Sequence, residues 1–100
     1  MDEPVVVTMR WERVTDLLLA QIARYVVMSR GEPGCRNVDL CASVTADGRV
    51  VVIEKWASAD AQRAHMDAEA MVTLATAARD MGAARPELHL LEGMSAHDLT

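Results

Sequence analysis

The sequence predicts an α+β domain whose elements run β-α-β-β-α-β, with the four strands in one antiparallel sheet. Three observations predict it. The hydrophobic period switches between two and about 3.6 along the chain, in that order of elements. Asp47-Gly48 stands between two β-rich runs, a strong short-range hairpin signal. The longer connections between strands carry apolar stripes of helical spacing. This order is the ferredoxin-like topology, and 100 residues suit it as a single domain, residues 1–100.

Each element has a local reason. Val5-Val6-Val7-Thr8-Met9-Arg10-Trp11 is β-branched and apolar, a first strand. From Arg13 to about Ser29, Val14, Leu17, Leu18, Ile22, Tyr25 and Val26 recur at three and four, an amphipathic helix that Gly31 and Pro33-Gly34 stop. Asn37 to Val44 alternates, with Val38, Leu40, Ala42 and Val44 on one face, and Arg49 to Trp56 returns as the third strand. Ser58 can cap a short helix with Asp60 in its first turn. Asp67 can cap the next, whose stripe is Met71, Leu74, Ala75, Ala78 and Met81 and whose stop is Gly82. Beyond Pro86, Leu88-His89-Leu90-Leu91 supplies the last strand, and residues 93–100 are expected to form a flexible or exchanged tail.

The strands carry more apolar surface than one layer of helices needs. Val50 and Val52 point one way and Val51 and Ile53 the other; Val6 and Leu91 oppose Val5, Val7, Leu88 and Leu90 in the same manner. Helices on one side require only one apolar face per strand. A bare apolar sheet face is an association patch, so a homodimer joined through its sheets is expected. Composition agrees: 51% of residues are hydrophobic in a chain whose own core is small. Phe is absent, aromatics are 3% and Met numbers seven, so that core is aliphatic and adaptable.

Charge and cysteine usage exclude several classes. The net charge of −5, with no block of Lys or Arg, argues against a nucleic-acid partner. The longest apolar runs are too short to span a bilayer. Met1-Asp2-Glu3-Pro4 is acidic, the reverse of a secretory leader. Cys35 and Cys41 lie on one expected strand, about 20 Å apart at strand rise, which forbids an intrachain disulfide. Two free thiols without an export signal imply a cytoplasmic protein. The three His occupy three elements with no ligand spacing and no C-x-x-C is present, so no metal is expected. The five Gly fit neither G-x-G-x-x-G nor the P-loop, so no nucleotide cofactor is expected.

Chemistry concentrates around the third strand. Trp56 ends it where the chain turns into the helix, either plugging the core or lining a cleft. Glu54 shares that strand face, and a carboxylate there needs a partner, with His65 or Arg63 on the following helix within reach. The Asp39, Cys41 and Ser43 row on the second strand reads as a solvated or interface-facing side.

The run from Glu32-Pro33-Gly34-Cys35 through Asp47-Gly48 to Glu54-Lys55-Trp56 and His65 resembles the antibiotic biosynthesis monooxygenase family of dimeric α+β barrels, from about Val5 to Glu92. The resemblance implies a cofactor-independent monooxygenase that oxidises a small aromatic, quinol or polyketide-like substrate in a hydrophobic cleft. The substrate itself would activate dioxygen. The resemblance implies His65 and Trp56 as the catalytic pair, with Glu54, Met9 and Met71 contacting substrate. The chain departs from the family in carrying Val52 where an Asn is expected and Gln62 where a Tyr is expected. It also lacks the haem-degrading branch's set, with Thr8, Met9 and Arg10 on the first strand and Ala75 in place of a helix His. Two alternatives stand beside oxygenation: a non-catalytic ligand-binding or structural dimer, and a barrel isomerase using His65 as general base.

Overall fold

The computed structural model describes residues 3–96. They form β1 (Val5–Trp11), α1 (Asp16–Ser29), β2 (Cys35–Ala42), β3 (Val50–Trp56), α2 (Ala59–Met66), α3 (Glu69–Asp80) and β4 (Glu87–Glu92). The strands make one antiparallel sheet in the order β2-β3-β1-β4, so the chain has the predicted α+β ferredoxin-like fold.

Register decides what each strand shows to the helices. Val7, Met9 and Trp11 of β1 stand beside Glu54, Val52 and Val50 of β3, and Val38 of β2 completes the row opposite Glu54. All are buried, and Met9, Trp11, Val38 and Val52 pack with Leu18, Ile22, Tyr25 and Val26 of α1 and with Ala70, Leu74 and Ala78 of α3. The core is aliphatic with two Trp and one Tyr.

The helices stop short of β4. Leu88 and Leu90 pair with Met9 and Val7 and so face the helix side, yet they are 38% and 56% exposed. A trough therefore runs along β4 beside β1. On the opposite face of the sheet Val6, Thr8 and Val51 are only partly covered, Ile53 and Leu91 are exposed, and Cys41 lies opposite Val51.

Several local expectations are corrected. The first helix begins at Asp16, because Arg13 turns at φ 53° and Thr15 caps the helix, its hydroxyl accepting from Leu18 N at 3.2 Å. Leu17 is 72% exposed and lies off the buried stripe. The second strand starts at Cys35 and ends at Ala42. The Ser43 hydroxyl there accepts from the N–H groups of Thr45 and Ala46, turning Val44 out to 99% exposure. The connection to β3 is thus longer than a two-residue turn, with Gly48 at φ +75° inside it. Asp67 does not cap α3: its N–H closes α2 on Ala64 O, and Ala68 precedes α3 without a side-chain cap. Ser58 does cap α2, accepting from Ala61 N at 3.1 Å. Of the expected tail, Gly93 is buried and donates its N–H to Pro4 O at 2.8 Å, while residues 97–100 lie outside the described residues. Among the described residues no helix is long and apolar enough to cross a membrane.

Candidate active site

Strand period and helix spacing bring three of the predicted site residues together. Glu54 and Trp56 alternate onto the helix face of β3. His65 and Gln62 are the two buried residues of α2, one turn apart. His65 packs against Trp56 with its ring tilted, ring centroids 4.4 Å apart and planes at 31°. Glu54, Trp56 and His65 are each 2% exposed or less.

A buried carboxylate must be hydrogen-bonded. Trp56 Nε1 donates to Glu54 Oε1 at 2.9 Å, and the hydroxyl of Tyr25, from α1, donates to Glu54 Oε2. The same hydroxyl lies 2.6 Å from His65 Nε2. The other ring nitrogen, Nδ1, lies 2.7 Å from Glu32 Oε1 in the loop after α1. The result is a continuous chain, Glu32–His65–Tyr25–Glu54–Trp56, from a half-buried carboxylate to the core. Burial above all, then the neighbouring Glu54 carboxylate, pushes the Tyr25 hydroxyl far above the ordinary phenol range, so Tyr25 keeps its proton.

That one proton cannot serve two acceptors. With Tyr25 donating to Glu54, its oxygen is left to accept from the N–H of His65 Nε2. The cluster joins Glu54 to His65 through the Tyr25 hydroxyl.

Two cavities flank this chain without being lined by its members. One, about 690 Å³, lies at the Trp56 end of the sheet and is walled by Val5, Gln62, Leu90 and Leu91, with Glu3, Asp60 and Glu92 at its rim. Val5 is the register partner of Trp56, and Gln62 occupies the α2 turn before His65. The other, about 570 Å³, lies between β1 and α3 and is lined by Met9, Trp11, Met71, Leu74, Ala75 and Leu88, with Arg79 and Arg85 beside them. Leu88 lines the second and Leu90, the next side chain on the same face of β4, lines the first. Met9 and Met71 thus sit together but apart from His65: Met9 pairs with Val52, four residues, or about 13 Å of strand, from Trp56. His65 is buried between elements and lines neither cavity.

Sequence reasoning missed Tyr25 and Glu32. Tyr25 read as one more apolar stripe position, although a buried Tyr hydroxyl needs a partner. Glu32 lies in a Gly-Pro loop where no period places a side chain. Neither cysteine joins the cluster; burial, Glu54 and Glu32 push the Cys35 thiol up, which disfavours a thiolate nucleophile. Arg63 pairs with Asp60 on the surface. Among the described residues no three His, Cys, Asp or Glu side chains are grouped to hold a metal ion.

Comparison with known proteins agrees with the architecture. The structure of Rv0793 from Mycobacterium tuberculosis superposes with a TM-score of 0.82 at 23% identity, covering 95% of this chain and 99% of that one. SnoaB from Streptomyces nogalater, a cofactor-independent oxygenase, gives 0.78 at 22% identity over 96% and 97%. A conserved protein from Methanosarcina mazei gives 0.78 at only 9% identity over 90% and 92%, so the fold outlasts the sequence. No curated protein matches this sequence significantly. The sequence profile of the antibiotic biosynthesis monooxygenase family matches residues 4–77, and the chain belongs to that family.

Proposed function

We propose that the protein is a cofactor-independent monooxygenase of a small aromatic, quinol or polyketide-like substrate held in the helix-side trough along β4. The observation that carries this reading is a buried hydrogen-bonded chain of Glu, His and Tyr side chains beside an apolar trough of ligand size. Met9 and Met71 hold the apolar part of the substrate. Trp56 and His65, backed by Glu54, serve the end where a proton leaves. An electron-rich ring system that loses a proton can pass electrons to dioxygen itself: the carbanion adds O₂, and collapse of the resulting peroxide releases water and leaves a carbonyl carbon. The protein then has to supply a base, an apolar enclosure and orientation. SnoaB, of the same fold, is described as a cofactor-independent oxygenase, which supports this chemistry here.

The protein works as a homodimer through the open sheet face around Val6, Val51, Ile53 and Leu91, and in the cytoplasm, where Cys35 and Cys41 stay reduced. The test is oxygen uptake with a panel of quinols and anthrones under metal-free conditions. Turnover that falls 10²–10⁴-fold in a folded His65→Gln variant is the expected result for loss of a general base. No uptake with any member of the panel overturns the oxygenase. The second reading is a non-catalytic ligand-binding dimer. It is favoured by one observation: His65 is 2% exposed and lines neither cavity.

A further inference from the structure

The cavity between β1 and α3 differs from the one beside Gln62 in its charge. Its walls are apolar, and the charged residues lining it are two arginines, Arg79 and Arg85. Arg10 and Arg49 pair with Glu12, Arg63 pairs with Asp60, and Arg30 binds Val38 O. Among the described residues neither the Arg79 nor the Arg85 guanidinium has an ion-pair or hydrogen-bond partner. A last-turn cation meets the dipole of its own helix, which accounts for Arg79. It does not account for Arg85, on the loop between α3 and β4. A third donor in the same wall is unmatched: Trp11 is 3% exposed and its indole N–H is buried without an acceptor. At the other end of the trough, Glu3, Asp60 and Glu92 outnumber Arg63, which Asp60 already pairs.

We infer that this cavity binds an apolar anion, an aromatic ring system bearing one carboxylate, with the rings against Met9, Met71 and Leu74 and the acid group on Arg79 and Arg85. Guanidinium groups suit a carboxylate because they can bind it through two parallel hydrogen bonds. The cavity's 570 Å³ is of the size that encloses a small ligand. The inference rests on the proposed trough as the substrate site, and it adds an orientation. The acid group is drawn to the arginine end and repelled by the acidic end, so the opposite edge of the ring system points along Leu88 and Leu90 toward the Trp56 end.

Equilibrium dialysis tests it with 1-naphthoate and the neutral 1-naphthamide, on the intact protein and on the Arg79→Gln, Arg85→Gln double variant. Both arginines are exposed, so the variant should keep its fold, checked by circular dichroism. Intact protein should prefer naphthoate by about tenfold or more, the worth of hydrogen bonds to a charged group. The preference should weaken with added salt. The double variant should bind both probes alike, and Ala75→Phe, which fills the cavity, should bind neither. Equal binding of the two probes by the intact protein, a preference that survives the double substitution, or no naphthoate binding at millimolar concentration would each overturn the inference. A naphthoate preference in a protein that consumes no oxygen keeps the anion site and rejects the oxygenase. Oxygen uptake by a protein that binds naphthoate and naphthamide equally does the reverse.

Discussion

Tyr25 holds the most demanding position in the molecule. It is 1% exposed and its single hydroxyl touches both a carboxylate and an imidazole. Removing that hydroxyl leaves Glu54 and His65 each short of a buried partner, which costs about 1–3 kcal/mol. Denaturant unfolding of Tyr25→Phe should therefore show a lower midpoint with an unchanged slope. The variant also carries a pH signature. The native state keeps the Tyr25 proton well above the ordinary phenol range, whereas the unfolded chain releases it near pH 10. Above that pH the unfolded state binds fewer protons, so stability is lost as pH rises, by about 1.4 kcal/mol per unit, and is fully present below it. Unfolding of the intact protein between pH 9 and 11.5 should show this decline, and Tyr25→Phe should lack that contribution. An identical decline in both proteins would show that the Tyr25 proton is not held this way.

The element that governs access to this cluster is α2. Its buried side chains are Gln62 and His65, both polar, so little hydrophobic energy holds it to the sheet. It is held instead by the His65 hydrogen bonds and by a close fit: a Cβ built on Gly34, at φ +79°, would stand 2.5 Å from Ala61 Cβ. Gly34→Ala combines that overlap with a left-handed backbone, and a loss of about 1–3 kcal/mol is expected in thermal unfolding, with faster hydrogen exchange along α2 than along α1. Alanine at 34 with unaltered α2 exchange would contradict this account of how the helix is seated. Sequence periodicity made α1, β3 and α3 legible because each buries a stripe or a face of residues that recur at the element's own spacing. It failed where hydrogen bonding by short side chains decides: Thr15 and Ser43 moved two element boundaries, and Asp67 lost its capping role to the closing turn of α2. The site divides in the same way. Glu54, Trp56 and His65 were readable because strand alternation and one helical turn relate them, whereas Glu32 comes from a loop and Tyr25 from a helix crossing the sheet. No local period encodes such a meeting.

At the scale of the whole molecule, one layer of helices covers one side of the sheet and leaves the other open. The outer face carries Val6, Val51, Ile53 and Leu91 within a frame of polar residues. A charge placed at its centre should separate the subunits, because desolvating two like charges across an interface costs several kcal/mol. Ile53→Asp is expected to sediment as a folded monomer where the intact chain sediments as a dimer. A monomeric intact chain at micromolar concentration would rule out assembly through this face. Cys41, opposite Val51 on that face, gives the molecule its own footprinting reagent. Assembly would shield its sulfur, while Cys35, half-buried and with its thiol pushed up by burial and two carboxylates, is a slow reactant in either state. The ratio of the two alkylation rates in the unsubstituted protein, followed by mass spectrometry as the chain is diluted, should rise as subunits part, and so gives a dissociation curve without any label or mutation.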